Sequence, residues 1–587
     1  MRRSRCCLSL LTLLLIPALS HAGVQLVVDG VDDPLKGAVI AGVSLSQYAT
    51  RTVSEAQVRR LADRADAQVG TALQPYGYYE AHASNKVEQA GKDWRVTLHV
   101  VPGAPVMVTS VDIKLDANAA KLRPIQAARR GIEKLKGERL QDEAYDSARD
   151  ALSTALAANG YLDAKLTVHR VEVNRGEHSA AVHLAWSAGR RYRYGQVLFQ
   201  GSQFEQGFLQ RYVPFKQGDY FDQNQILKLQ QALNGADYFS VVNVMPQIDT
   251  ARQGIVDIKV ELAPAKRTIY TSGLFIGTDT GFGVRGGVEQ RWINRYGHKW
   301  KNDVVIAQRL KTISSQYTIP LAGDNERSLN FGATYRDANT VTSQARTLEL
   351  VANESELWHD WVRTVGVHGL TGTFDVGKTP DEPESTPGVE HGSSTLVYVE
   401  GSLARKQADN PDFVHRGWSI SLDARSTAGD LLSSARFSEV TVDAKWIRAF
   451  WRNNRLILRG SIGHVWTDNF DALPPQLRFF AGGDQSVRGY SFQSIGPENS
   501  YGRVIGGNSL VIASATVEHY FTPHWGVATF IDAGNAFNGT NVQPKLGTGV
   551  GVRWRSPVGL IRVDLGTPVN DAQRHGVELH LVIGPDL

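Results

Sequence analysis

The side chains whose types and settings could do chemistry are Arg488 and Asp532. Arg488 lies in Val487-Arg488-Gly489-Tyr490, preceded by Gly482-Gly483-Asp484, and Asp532 lies in Phe530-Ile531-Asp532-Ala533-Gly534. Strand alternation puts Phe530 and Asp532 on one face and Ile531 on the other. A guanidinium held away from bulk water needs charge-assisted partners. Its fork engages two carboxylates at once, a geometry that lysine does not reproduce. Such a pairing is a lock, not a catalytic device. The usual catalytic sets are missing: the chain contains neither GxSxG nor HExxH, and its 16 histidines, among them His298, His359, His391 and His415, lack ligand spacing. Gly547, Gly549 and Gly551 recur every second residue, which is a strand period and not a phosphate loop. Gly281, Gly283, Gly286 and Gly287 read as strand glycines too. Glycine on an inward row leaves room for something packed inside. No enzymatic activity, metal or cofactor is expected.

These residues must be positioned by something large, because 587 residues exceed one ordinary domain. The 63 basic and 59 acidic side chains nearly balance, which argues against a nucleic-acid partner. Arg2, Arg3 and Arg5 precede an apolar run at 8–19, and Ser20-His21-Ala22 supplies small residues where a signal peptidase reads. A secretory signal peptide over 1–22, cleaved after Ala22, is predicted. The only cysteines, Cys6 and Cys7, fall inside it, so the mature chain would carry no thiol. Beyond it no segment has 18 consecutive apolar residues, so the mature chain crosses a membrane as a β-barrel or not at all.

The first half repeats. Gly77-Tyr78-Tyr79-Glu80-Ala81, Gly160-Tyr161-Leu162-Asp163-Ala164 and Asp237-Tyr238-Phe239-Ser240-Val241 resemble one another, with tyrosines 83 and 77 residues apart. Each follows a helical face: Val58, Leu61, Ala62, Ala65 and Val69; then Tyr145, Ala148, Leu152 and Ala155; then Ile226, Leu229 and Leu233. Ser54 with Gln57, and Asp222 with Gln225, read as capping boxes. Strands are expected to open the units at 24–28, 108–113 and 196–199. After the first tyrosine the period becomes two, with Val96, Leu98 and Val100 on one side. The order strand, helices, strand, strand predicts three α+β modules over 23–103, 104–188 and 189–265.

From 266 onward, alternation replaces the helical period. Val550, Val552 and Trp554 alternate with Gly549, Gly551 and Arg553; Ile561, Val563 and Leu565 alternate with Arg562, Asp564 and Gly566. Val577, Leu579, Leu581 and Ile583 alternate with Glu578, His580 and Val582. An outer-membrane barrel puts such an apolar face toward lipid and the polar face toward the lumen, whereas a secreted sandwich would put it in a core. Ten of the 12 tryptophans lie in 266–587, which suits interfacial girdles. At ~20 residues per strand and turn, this length predicts about 16 strands.

The three modules resemble POTRA domains, which precede the barrels of the outer-membrane assembly superfamily. Pro102-Gly103-Ala104-Pro105-Val106 and Gly189-Arg190-Arg191-Tyr192-Arg193-Tyr194-Gly195 sit where that superfamily joins one POTRA to the next. Val487-Arg488-Gly489-Tyr490 resembles its VRG[FY] motif, on a long loop that folds back into the barrel. Phe530-Ile531-Asp532-Ala533-Gly534 resembles its FxDxG strand motif, and Glu518 lies where a family strand carries an inward glutamate. The resemblance implies a lock of Val487, Arg488, Gly489 and Tyr490, with Asp532 and Glu518 as partners. The fold expected is β-rich: three POTRA domains, then a 16-stranded antiparallel transmembrane β-barrel at 266–587.

Three POTRA units point to the translocation-and-assembly branch, which Arg291-Trp292-Ile293-Asn294-Arg295-Tyr296-Gly297-His298 and Tyr317-Thr318-Ile319-Pro320 also resemble. That branch implies insertion or translocation of outer-membrane proteins, including autotransporters, in a Gram-negative outer membrane with the POTRA domains in the periplasm. It implies three partners: a TamB-like inner-membrane-anchored protein, unfolded outer-membrane protein clients and outer-membrane lipid. The lateral seam would join the first strand, about 268–276, to the last, about 577–583, at Tyr270, Thr271, Leu579 and Leu581. Pro585 cannot donate to a ladder, so the last strand should stop near Ile583. The competing class is a two-partner-secretion-type transporter or a passive channel, with a seam that stays closed.

Overall fold

The computed structural model describes residues 23–587 except 322–326, 384, 428, 430–431, 558, 572–573, 585 and 587. The predicted signal peptide therefore lies outside the described residues, as does Pro585. Three small sheets precede one large sheet. In the first module, strand Val24–Asp29 leads to helices Leu35–Gly42, Glu55–Asp63 and Ala65–Leu73, then to strands His82–Ala90 and Asp93–Val101. The opening strand pairs parallel with the last one, so the helices carry the chain back across the sheet. Val58, Ala62, Ala65 and Val69 are buried against Val96, Leu98 and Val100. The helical face and the strand face that the sequence presents are thus two sides of one core. The expected single helix breaks at Arg64, which caps both halves.

The second module repeats the plan, with strands Met107–Lys114, Lys165–Asn174 and Ser179–Ser187 around helices Arg123–Glu133 and Asp142–Ala158. The third has strands Arg193–Gln200, Phe239–Pro246 and Ile255–Pro264 and helix Gln223–Gly235. The Ser54 hydroxyl accepts from the Gln57 amide at 3.4 Å as a helix cap should. Asp222 instead caps the Asn224 amide, at 2.9 Å.

The chain divides into two compact units, with 198–214 and 228–244 belonging to the unit that holds the barrel. Within that unit the third repeat's tyrosine finds its partner in the turn after the second barrel strand. The Tyr238 hydroxyl donates to the Gly297 carbonyl at 2.5 Å, Arg291 pairs with Asp237 at 2.8 Å, and Lys299 donates to the Ala236 carbonyl at 2.9 Å. Burial pushes the Tyr238 hydroxyl well above its usual pKa, so it stays a donor. Gly297 has φ +72°, and a Cβ there would sit 2.2 Å from the Phe208 ring. Gly297→Ala should therefore cost about 1–3 kcal/mol at this joint. Amide exchange across 236–241 and 291–299 should quicken, and unchanged exchange would refute the tight fit.

Sixteen strands form one sheet in chain order, antiparallel throughout, from Thr268–Gly277 to Glu578–Ile583. Parity runs as the alternation requires. Val550, Val552, Ile531 and Leu565 are exposed on the outside, while Arg553, Asp564, Asp532 and His580 are buried within. An outer face so rich in exposed Val, Leu, Ile and aromatic side chains is stable only in lipid. Trp525 and Trp554 stack on adjacent strands, with ring centroids 5.5 Å apart.

Candidate functional site

The chain between strands Asn454–Thr467 and Ser509–Tyr520 folds inward, burying Val487, Arg488 and Tyr490. Strands Ser509–Tyr520, Trp525–Phe537 and Gly559–Pro568 supply its polar partners, with strand Lys545–Ser556 lying between the last two. Arg488 lies over the Phe530 ring, 3.5 Å from its centroid. Its Nε and Nη2 donate to the two oxygens of Asp532 at 2.7 and 2.9 Å, and its backbone N–H donates to Asp532 at 3.0 Å. Nη1 donates to Asp564 at 2.9 Å and Nη2 to the Thr516 hydroxyl at 2.9 Å.

Space for the loop comes from the glycine row on strand Lys545–Ser556. A Cβ on Gly547 would meet the Arg488 carbonyl at 1.9 Å, and one on Gly551 would meet Asp564 at 1.8 Å. Gly489 itself has φ +95°, and a side chain there would strike the Thr567 backbone at 2.7 Å.

Glu518, expected beside Arg488, is not its partner. It is 0% exposed and sits between Arg455 at 2.5 Å and Arg553 at 2.6 Å. Arg553 then reaches Asp564 at 2.6 Å, which returns the chain of charges to Arg488. Arg455 continues it to Asp586 at 2.6 Å, and Asp586 meets Arg562 at 2.8 Å. Four carboxylates and four guanidiniums thus alternate inside the barrel, which is the arrangement that buried charges require. Strand parity predicts that both Glu518 and Asp564 face inward, but only the cross-strand register decides which reaches Arg488. Arg455, Arg553, Arg562 and Asp564 were findable as inward charges, and no periodic signal marks Asp586.

At the seam, no ladder joins the first strand to the last among the described residues. Leu581 N–H donates to the Thr278 hydroxyl at 3.4 Å, and a Cβ on Gly277 would lie 4.0 Å from the Leu581 carbonyl. The inner loop spans the gap. Asp484 accepts from the Thr278 hydroxyl at 2.7 Å and from His580 Nδ1 at 2.6 Å. Gly489 N–H donates to His580 Nε2 at 2.9 Å, so the ring proton belongs on Nδ1.

Leu579 and Leu581 are on the last strand as expected, with Leu579 facing outward. Tyr270 and Thr271 are not opposite them. They pair with Val288 and Gly287 of the second barrel strand and lie seven or eight residues from Thr278, roughly 25 Å along an extended chain. The stagger of tilted strands sets the two ends off, and the last strand stops at Ile583. Tyr270 is left 78% exposed beside an unpaired edge.

A family model described as "Omp85 superfamily domain" matches residues 278–585. "POTRA domain TamA domain 1" matches 25–102, and the POTRA model "Surface antigen variable number repeat" matches 192–264. Outer membrane protein assembly factor BamA of Nitratidesulfovibrio vulgaris (strain Hildenborough) is 22% identical over 449 residues, 74% of this chain and 56% of that protein. The chain therefore spans little more than half the length of that relative. BamA from Haemophilus ducreyi lacking POTRA domains 1–3 has a TM-score of 0.67 at 16% identity, covering 81% of this chain and 98% of that one. That likeness shows a shared fold. CdiB from Acinetobacter baumannii has a TM-score of 0.44 at 14% identity, covering 81% and 88%.

Proposed function

Because the chain belongs to the Omp85 superfamily, we propose that it helps insert or secrete outer-membrane β-barrel proteins, autotransporters among them, through the seam between its first and last barrel strands. It is an outer-membrane barrel with its POTRA modules in the periplasm, the first of them of the TamA type. Within the superfamily the reading is a TamA-like barrel subunit working with a TamB-like inner-membrane-anchored partner on unfolded clients.

The observation that carries this reading is the seam. Among the described residues its two strands are bridged through Thr278, His580 and the inner loop's Asp484 in place of a backbone ladder. Parting such a joint breaks few hydrogen bonds and bares strand edges that can template an incoming strand. A short lipid-facing belt near the seam would thin the bilayer there and lower the insertion barrier for the client. Neither nucleotide nor metal has a part in this scheme.

The test places cysteines at Gly277 and Leu581, where the two strands approach each other. Oxidised protein should lose client insertion and regain it on reduction. A locked barrel that inserts clients at the parent rate would sink lateral opening and favour the passive channel or two-partner-secretion reading.

A further inference from the structure

On the outer face of the barrel two arginines stand directly opposite each other with no acid between them. Arg416 opens the ninth barrel strand, Arg416–Thr427, and its register partner is Arg448, near the end of the tenth, Phe437–Phe450. Parity turns both outward, because Arg425 pairs with Glu439 inside the barrel and Ile447 is buried there. Both arginines are exposed, and among the described residues neither guanidinium has an ion pair, a ring contact or a side-chain hydrogen bond. Like charges directly opposite across a ladder destabilise it. Arg405, on the preceding strand, shows the ordinary solution: it meets Asp360 at 3.1 Å and lies over the Trp418 ring, 5.5 Å from its centroid. Beside the unpaired arginines, toward the middle of the barrel wall, runs a groove of about 420 Å³. Trp418, Trp446 and Leu458, register partners on three strands, wall it, and Ala444 and Gly460 in the next row form its floor. Odd-numbered strands run the same way, so Arg416 lies at the periplasmic end, where the chain enters at Thr268. Trp418, Trp446 and the 88% exposed Trp451 mark this level as the boundary of lipid and water.

We propose that Arg416 and Arg448 clamp the phosphate of an anionic phospholipid of the periplasmic leaflet, with one acyl chain laid in the groove over Ala444 and Gly460. A phosphate between the two guanidinium forks replaces their repulsion with charge-assisted hydrogen bonds, and the planar fork suits its oxygens better than an ammonium does. The apolar groove beside it accepts hydrocarbon and offers nothing to a soluble anion. Large side chains on Trp446 and Leu458 and small ones on Ala444 and Gly460 give the groove its depth. The site lies on the ninth to eleventh of sixteen strands, half-way round from the seam, so a lipid held here does not compete with a strand entering there. It stands whether or not the seam opens.

The experiment uses the purified full chain in detergent micelles doped with phosphatidylglycerol, with phosphatidylethanolamine of the same acyl chains, or with inorganic phosphate. Native mass spectrometry counts retained lipid, and thermal melting reads its effect. Phosphatidylglycerol should be retained and should raise the melting temperature by several degrees, and the other two should do so far less. Arg416→Gln with Arg448→Gln should weaken phosphatidylglycerol binding by roughly tenfold or more, the share of two basic groups at a lipid surface. In plain detergent the same variant should melt no lower than the parent, because it removes a like-charge pair. Ala444→Leu, which fills the groove and keeps both arginines, should also weaken retention, and it reads the site if the double variant does not assemble. Equal stabilisation by inorganic phosphate would overturn the lipid in favour of a free anion, and equal retention of phosphatidylethanolamine would overturn the charge clamp. Parent-like phosphatidylglycerol binding in the double variant, or a double variant destabilised equally with and without lipid, would overturn the site. Parent-like binding in Ala444→Leu would overturn the seat for the acyl chain.

Discussion

Arg488→Ala should unfasten the inner loop and disable the barrel. The substitution removes the cation shared by Asp532 and Asp564, along with the bond to Thr516. Breaking a buried pair by deleting one partner costs about 3–5 kcal/mol, because the remaining charge stays buried. Asp532 keeps the Ser514 hydroxyl and the backbone N–H at residue 488, and Asp564 keeps Arg553. The loop should therefore loosen without the strands falling apart. Heat-modifiability in detergent should shift to lower temperature, and client insertion should fall at least as far. Arg488→Lys should recover only part of the loss, since an ammonium cannot span both carboxylates. Exchanging the charges, Arg488→Asp with Asp532→Arg, should rescue partially, because the backbone and Ser514 bonds to Asp532 are not restored. Parent-like heat-modifiability and insertion in Arg488→Ala would show that the loop is held by packing alone.

Glu518→Ala should destabilise the barrel more broadly. Glu518 is the single acid between Arg455 and Arg553, both nearly inaccessible to water. Without it two guanidiniums face each other across a cavity, again at about 3–5 kcal/mol or more. Glu518→Gln keeps the shape but turns an amide donor toward one arginine, so it should recover little. A double change, Glu518→Ala with Arg553→Met, should cost less than the two single changes summed, since it removes a buried cation together with the acid it shares with Arg455. Denaturant unfolding of the purified barrel reads these differences. Strict additivity, or a Glu518→Ala barrel as stable as the parent, would mean that the alternating charges act as separate pairs.

Loop and seam are joined through short connections. Arg488 fixes the loop to strands Trp525–Phe537 and Gly559–Pro568, and four residues earlier Asp484 holds Thr278 and His580. A loop freed at Arg488 is thus also less able to hold the seam. That is why the first prediction should lower both stability and insertion, while Glu518→Ala should act first on stability.

The sequence by itself determined the three modules, the barrel and the inward side of its last strands. Val58, Ala62 and Val69 recur at helical spacing, and Phe530 and Asp532 at strand spacing. Such periods are local: the backbone sets which face a side chain takes within a few residues. The inward positions of Arg553 and Asp564 were legible for the same reason. Only the tertiary structure decided that Arg488 meets Asp564 and not Glu518, that Gly277 and Thr278 approach Leu581 in place of Thr271, and that Asp586 turns into the lumen. Those outcomes depend on the stagger of sixteen tilted strands, summed around the barrel wall, and on a long loop meeting strands far along the chain. No periodic pattern records that sum.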